Sequence, residues 1–183
     1  MMKEIEVKIK IPDASDIISL LKGKGCVFSE PKAQQDLIYI EQSVPAIPVA
    51  AGVNVLRIRR QGDRSIFTLK QSTIGNNLAK LELEVDITDP ETMEKIIPLL
   101  GYKKIAKVNK TRRTCKYLEY EICVDQVEEL GDYLEIEKIT DQDPGFVQTE
   151  MLATLFSLGL DTSDRQEYGY DVMYVQKKLK DPK

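Results

Sequence analysis

Along residues 3–11, Lys-Glu-Ile-Glu-Val-Lys-Ile-Lys-Ile, apolar and charged side chains alternate without a break. Ile5, Val7, Ile9 and Ile11 fall on one side, and Glu4, Glu6, Lys8 and Lys10 on the other, which is the period of a β-strand. The same writing returns further on. Leu56 and Ile58 alternate with Arg57 and Arg59, and Phe67 and Leu69 with Thr68 and Lys70. Leu81, Leu83, Val85 and Ile87 alternate with Glu82, Glu84 and Asp86; Tyr120, Ile122 and Val124 with Glu121, Cys123 and Asp125; Leu134 and Ile136 with Glu135 and Glu137. Val108, Lys110 and Arg112 share one phase of a further strand. Three helical stretches lie between. The first starts at Asp13 or Ser15 and carries Ile17, Leu20 and Leu21 before Gly23 and Gly25. The second opens on Thr88-Asp89-Pro90-Glu91, a capping-box spacing, and Pro98 should shorten or kink it before Gly101. The third runs from Pro144 through Met151, Leu152, Leu155 and Phe156 to Gly159. Residues 41–54 and 71–79 read as irregular connections, and no segment between them has the composition of a domain linker, so one domain over 1–183 is expected.

Composition narrows the chemistry. Of 183 residues, 42% are apolar and 31% charged, the balance of a folded soluble chain. No apolar run approaches the ~20 residues of a membrane span. The alternation begins almost at Met1 with no apolar leader, and the three cysteines lack metal-type spacing. Reduced thiols in a cytoplasmic protein are therefore expected. A net charge of −4 argues against a nucleic-acid partner. There is no histidine. That excludes Ser-His and Cys-His nucleophiles, histidine-bound zinc and histidine acid–base catalysis together.

The charged phase of the strands can be read in two ways. Most alternating strands simply solvate their polar side, and Glu4 and Glu6 alone would be read so. The distribution argues otherwise: E-x-E pairs stand on three strands, while R-x-R, Lys70 and K-x-R stand on others. If these strands close with the charged side inward, each isolated ion costs several kcal/mol unless paired, hydrated or bound. Carboxylates so placed suit a hard divalent cation, Mg²⁺ or Mn²⁺. The arginines and lysines suit phosphate. A triphosphate with its bridging metal uses most of these charges, where a lone phosphate uses few.

At Glu4-Ile-Glu6-Val-Lys8 the chain resembles the E-x-E-x-K signature of the CYTH family, the class IV adenylate cyclases and thiamine triphosphatases, also called triphosphate tunnel metalloenzymes. Leu56-Arg57-Ile-Arg59, Thr68-Leu-Lys70, Glu82-Leu-Glu84 and Val108-Asn-Lys110-Thr-Arg112 resemble further family strands in the family's order. The long stretch from Asp125 through Gly131 to Glu135-Ile-Glu137 resembles the family's D-x-V-x-x-L-G pattern. The resemblance covers roughly residues 3–140. It implies an α+β fold, an eight-stranded antiparallel β-barrel (a tunnel) with a polar interior and helices packed outside. It implies metal ligation by Glu4, Glu6, Glu135 and Glu137, with Asp125 a further ligand. It implies phosphate binding by Lys8, Arg57, Arg59, Lys70, Lys110 and Arg112, of which Lys8, Lys110 and Arg112 are the candidate catalytic residues. Glu82 and Glu84 lie in the same phase and are placed as orienting groups. Where related chains show Q-x-D-x-Y, Gln34-Gln-Asp36-Leu-Ile38-Tyr39 keeps the aspartate and moves the aromatic by one residue, which turns it to the other face.

Within the family, these motifs look most like the class IV adenylate cyclase branch, which implies attack of the ribose 3′-hydroxyl of ATP on its α-phosphorus, with pyrophosphate leaving. The alternative is a phosphohydrolase acting on tripolyphosphate, thiamine triphosphate or a nucleoside triphosphate. A second alternative, from another class, is a non-catalytic nucleotide or polyphosphate sensor, against which the E-x-E pairs argue, since anion binding needs no carboxylates. No nucleic acid or membrane partner is expected, and a homodimer is consistent with the resemblance.

Overall fold

The computed structural model describes residues 2–45 and 47–181. In chain order its elements are β1 (Lys3–Ile11), α1 (Ala14–Gly23), β2 (Lys32–Glu41), β3 (Val55–Gln61), β4 (Arg64–Thr73), β5 (Asn76–Ile87), α2 (Pro90–Leu99), β6 (Tyr102–Tyr117), β7 (Tyr120–Val127), β8 (Gly131–Thr140), α3 (Pro144–Ser157), β9 (Arg165–Gln166) and α4 (Tyr170–Lys180). They group into two compact units. The first takes the chain up to Lys32 together with Lys110–Glu167, and the second takes Ala33–Asn109 and the segment from Tyr168 onward.

In the first unit the strand order is β6-β7-β8-β1-β9, antiparallel throughout. Its core is built from the apolar phase read in the sequence. Ile5, Val7 and Ile9 of β1, Ile122 and Val124 of β7, and Leu134 and Ile136 of β8 are all almost wholly buried, as are Val147, Met151 and Leu155 of α3. Asp13 caps α1, its Oδ1 accepting from the amides of Ser15 (2.7 Å) and Asp16 (3.1 Å). The Ala14 amide, another orphan donor of that first turn, is taken by Asp132 Oδ2 of β8 at 2.8 Å, which ties the helix start to the sheet. Asp143 caps α3 in the same way through the Phe146 amide (2.9 Å). Gln148 of α3 donates from Nε2 to the Glu6 carbonyl at 2.9 Å and fixes that helix against β1.

In the second unit the order is β5-β4-β3-β2-β6. Helix α2 covers its apolar face: Leu37, Tyr39, Leu56, Ile58 and Ile97 form the buried cluster, with Phe67, Leu69, Ile87, Met93 and Tyr102 packed around it. The cap of α2 is Asp89, whose carboxylate accepts from the Thr92 amide at 2.9 Å, rather than Thr88 as the capping-box spacing suggests. Pro90 takes the first turn, where its missing N–H costs nothing. Pro98 falls in the last turn and the helix stops one residue later. On the same face Arg60 reaches Glu94 (2.6 Å) and Glu91 (3.1 Å) and so clips α2 to β3.

Three elements differ from the sequence reading. Residues 71–79 are mostly strand, because β4 and β5 extend to a tight turn at Ile74-Gly75, where Gly75 has φ 76°. Strand β2 lies outside the expected strands: Leu37-Ile38-Tyr39-Ile40 is apolar on both faces and buried on both, so it shows no alternation. Helix α4 is a fourth helix, with Tyr170 and Val172 buried. Among the described residues no helix is long and apolar enough to cross a membrane.

Candidate functional site

The polar phase of the first unit is not a solvated face. Register places Glu4, Glu6, Lys8 and Lys10 of β1 beside Tyr133, Glu135 and Glu137 of β8, and these beside Glu121, Cys123 and Asp125 of β7, with Lys110 and Arg112 of β6 beyond. Lys8 is 1% exposed and Asp125 0%, and Glu6, Lys110 and Glu135 are also buried. Charges removed from water this completely persist only when compensated. Compensation is what the side chains provide. Lys8 Nζ lies 3.1 Å from Glu135 and 3.4 Å from Glu6. Lys110 Nζ donates to Asp125 Oδ2 at 2.9 Å, Arg112 Nε donates to Asp125 Oδ1 at 2.7 Å, and Arg112 also pairs with Glu135.

These pairs divide the carboxylates into two groups. Burial acts to raise the Asp125 carboxyl, but Arg112 and Lys110 outweigh it and hold it below the usual range. Glu135 is treated likewise by Lys8, Arg112 and Lys110 and lies well below its ordinary value. Glu137 goes the other way. Burial, with Glu4, Glu135 and Glu6 close by, pushes it up to about 8 against the pull of Arg112. Carboxylate oxygens of Glu4, Glu6 and Glu137 lie within 4.8 Å of one another. Three oxygen donors that repel one another, as the upward displacement of the Glu137 carboxyl reflects, suit a hard divalent cation, whose charge would relieve their repulsion. Of the five expected ligands, then, the structure gathers Glu4, Glu6 and Glu137 into one group, while Asp125 and Glu135 stand among the cations. Sequence reading missed Glu121 and Cys123, whose ligand atoms form a second such group with Glu137. Both lie in the charged phase of β7, a weak signal because a cysteine between acidic residues reads as a small core residue.

The second unit carries its own charged face. Asp36 of β2, Arg57 and Arg59 of β3, Thr68 and Lys70 of β4, and Glu82 and Glu84 of β5 share one phase of the register. Asp36 and Arg57 are buried and Thr68 is fully so. Arg59 grips Asp36 in a bidentate pair, Nε to Oδ1 and Nη2 to Oδ2, both 2.7 Å. Arg57 Nη2 donates to Glu84 (2.8 Å) and to Thr68 Oγ1 (3.1 Å), whose hydroxyl in turn donates to Glu84 at 3.0 Å. Lys70 pairs with Glu82. Burial of Glu82 works to raise its carboxyl, yet Lys70, Arg57 and Lys80 hold it down to about 2. Arg57 keeps one buried donor, Nε, without a hydrogen-bond partner. A buried orphan N–H is costly, and an anionic oxygen is the acceptor such a donor suits. Tyr39 faces the α2 cluster and not this face, as the one-residue displacement of the aromatic requires.

Comparison with known proteins follows the same lines. The family model described as the CYTH domain matches residues 2–166. A protein of Methanocaldococcus jannaschii named "Putative adenylate cyclase MJ0240" is 32% identical over 166 residues, covering 87% of this chain and 91% of that one. The structure of the PH1012 protein from Pyrococcus horikoshii aligns with TM-score 0.78 and 29% identity, over 92% of this chain and 97% of that one. A Hippeastrum protein described as a "putative adenylyl cyclase" with "a dominant triphophatase activity" shares the fold at TM-score 0.66 and 17% identity, over 98% of this chain and 96% of that one. The likeness to the Pyrococcus structure shows the fold class expected from the sequence, an α+β, eight-stranded antiparallel β-barrel with helices outside. With the family model matching residues 2–166, most of the chain, the chain belongs to the CYTH domain family.

Proposed function

We propose that this protein is a metal-dependent enzyme acting on a triphosphate, and that its reaction is that of a class IV adenylate cyclase, ATP to cyclic AMP and pyrophosphate. The observation that carries the reading is the charged face of the first unit, where Lys8, Lys110 and Arg112, paired with Glu135 and Asp125, share one phase of adjacent strands with the carboxylate group of Glu4, Glu6 and Glu137. A scaffold protein gains nothing from ions held there, and a pure anion binder has no use for the acidic group.

Glu4, Glu6 and Glu137 would hold Mg²⁺ or Mn²⁺, which when bound supplies Lewis-acid charge that acidifies the attacking hydroxyl. Lys8, Lys110 and Arg112 neutralise phosphoryl oxygens, and Asp125 and Glu135 hold these cations in fixed positions so that little reorganisation accompanies charge transfer. In the second unit Arg57, Arg59 and Lys70 bind phosphate, with Glu82, Glu84 and Asp36 setting their directions. The 3′-oxygen forms its bond to the α-phosphorus as the α–β bridging bond breaks. The hydroxyl proton leaves to a carboxylate or to water, and the negative charge gained by the departing pyrophosphate falls to the lysines and arginines. The second reading is hydrolysis of a terminal phosphate on the same residues; the Hippeastrum protein that shares the fold is described by a triphosphatase activity. Product analysis separates them. Purified protein with ATP and Mg²⁺ or Mn²⁺ should yield cyclic AMP and pyrophosphate in equal amounts. Orthophosphate release would replace the cyclase by the hydrolase, and binding without any turnover would overturn both.

A further inference from the structure

At one end of the charged face of the second unit stands a pair of amides that the triphosphate chemistry leaves unused. On β3, Arg57, Arg59 and Gln61 share one phase, and on β2 Gln34 shares the phase of Asp36. Gln34 is 7% exposed and donates from Nε2 to Gln61 Oε1 at 2.6 Å. Its own Oε1 is buried with no hydrogen-bond partner. The neighbouring Gln35 points to the other phase and donates to Asn109 Oδ1 at 3.3 Å, so it does not compete. A buried carbonyl oxygen without a donor is costly in a folded protein and calls for a ligand that brings one.

We infer that Gln34, held by Gln61, reads the exocyclic amino group of an aminopurine nucleotide, and so sets this site to nucleoside triphosphates in preference to inorganic or thiamine triphosphate. The inference deepens the triphosphate reading and rests on it. A glutamine amide is the side chain whose acceptor and donor match adenine's amino group and adjacent ring nitrogen. Its place on the strands suits this role. Gln61 lies four steps along the strand from Arg57, or about 13 Å at about 3.3 Å per residue. An extended nucleotide has comparable separation between the amino edge of its base and its phosphate chain. Arg57 then faces the far part of the phosphate chain and Arg59 the part nearer the ribose, while the amide pair faces the base. Gln61 is only half-buried, which leaves the pair free to turn about its terminal torsions as a base arrives.

The test uses three probes that carry the same phosphate chain: ATP, inosine triphosphate (which has a keto oxygen in place of the amino group) and tripolyphosphate. Binding is titrated in chelator, so that no turnover accompanies it. Wild-type protein should bind ATP about ten-fold or more tightly than inosine triphosphate. Gln34→Met should lower ATP affinity to the inosine level and leave tripolyphosphate unchanged. Gln61→Leu, at a less buried position, should produce the same selective loss if Gln34→Met fails to fold. Equal affinity of wild-type protein for ATP and inosine triphosphate would overturn the amide proposal alone, as would a variant that keeps wild-type preference or loses all three ligands equally. Failure of wild-type protein to bind any of the three would overturn the triphosphate reading and this proposal with it.

Discussion

Glu137 allows the metal site to be tested by stability alone. Its carboxyl is pushed from an ordinary 4.5 to about 8 by burial and by Glu4, Glu135 and Glu6. Between those values the folded protein holds a proton that the unfolded chain has released, so the stability this gives is full below 4.5 and is lost as pH rises through 8. The span of about 3.5 pH units, at about 1.36 kcal/mol each, sets a ceiling near 5 kcal/mol. Glu137 is only half-buried and shares its charge with Glu4 and Glu6, so solvent screening brings the effect to about 1–2 kcal/mol. For a chain of this length that is about 2–8 °C of Tm. Thermal melts in chelator should therefore lose most of that amount between pH 5.5 and 8. Above pH 8 the comparison blurs, because the Cys115 thiol, pushed up to about 12 by burial and by Cys26, begins to ionise in the unfolded chain alone. Glu82, Asp125 and Glu135 are ionised throughout this window and leave the slope to Glu137. Glu137→Gln should flatten the slope. At pH 8, Mg²⁺ at a hundred times its Kd should restore about 2.7 kcal/mol to wild-type protein and much less to the variant. A wild-type Tm that does not change with pH, or a variant that responds to Mg²⁺ as wild type does, would refute the reasoning.

Three further perturbations follow from the geometry. Arg57→Ala removes a charged donor set and should weaken tripolyphosphate binding by about ten-fold or more while changing orthophosphate binding much less, as measured by competition; equal losses would argue against a grip on several phosphates. Asp125→Asn leaves Lys110 and Arg112 without their shared carboxylate and should cost about 3–5 kcal/mol, seen as a midpoint shift in urea, and adding Lys110→Met should recover part of it. Asp89→Ala removes the cap of α2 and should cost about 1 kcal/mol with turnover unchanged; loss of turnover would mean that α2 does more than cover the apolar face of its sheet.

Strict alternation made β1, β3, β7 and β8 legible because each buries an apolar phase, and β5 was legible from the same period although its Leu83 and Val85 are exposed. It could not tell whether the other phase meets water, since Glu6 and Lys8 spell the same pattern in either case. Lys8 at 1% exposure decides it. Strand β2 escaped for the opposite reason: Leu37-Ile38-Tyr39-Ile40 is buried on both faces and shows no period. Helix α4 carried a signal in Val172, Val175 and Leu179 at helical spacing, but the lysines around them obscured it. The charged residues of the site were legible through their motifs, and their partners were not. That Asp36 belongs to Arg59, Glu82 to Lys70 and Asp125 to Lys110 and Arg112 depends on strand register, which side-chain type alone does not specify. The division of the carboxylates, with the Glu137 carboxyl raised among acids and Glu135 lowered among cations two residues away, arises only from that register.

The buried charges suit a metal and a chain of phosphates. Calorimetric titration of tripolyphosphate and of orthophosphate, each with and without Mg²⁺, asks this directly. Tripolyphosphate should bind at least a hundred-fold more tightly than orthophosphate, and Mg²⁺ should tighten it further in wild-type protein but not in Glu137→Gln. Equal and weak binding of both anions, indifferent to Mg²⁺, would contradict it.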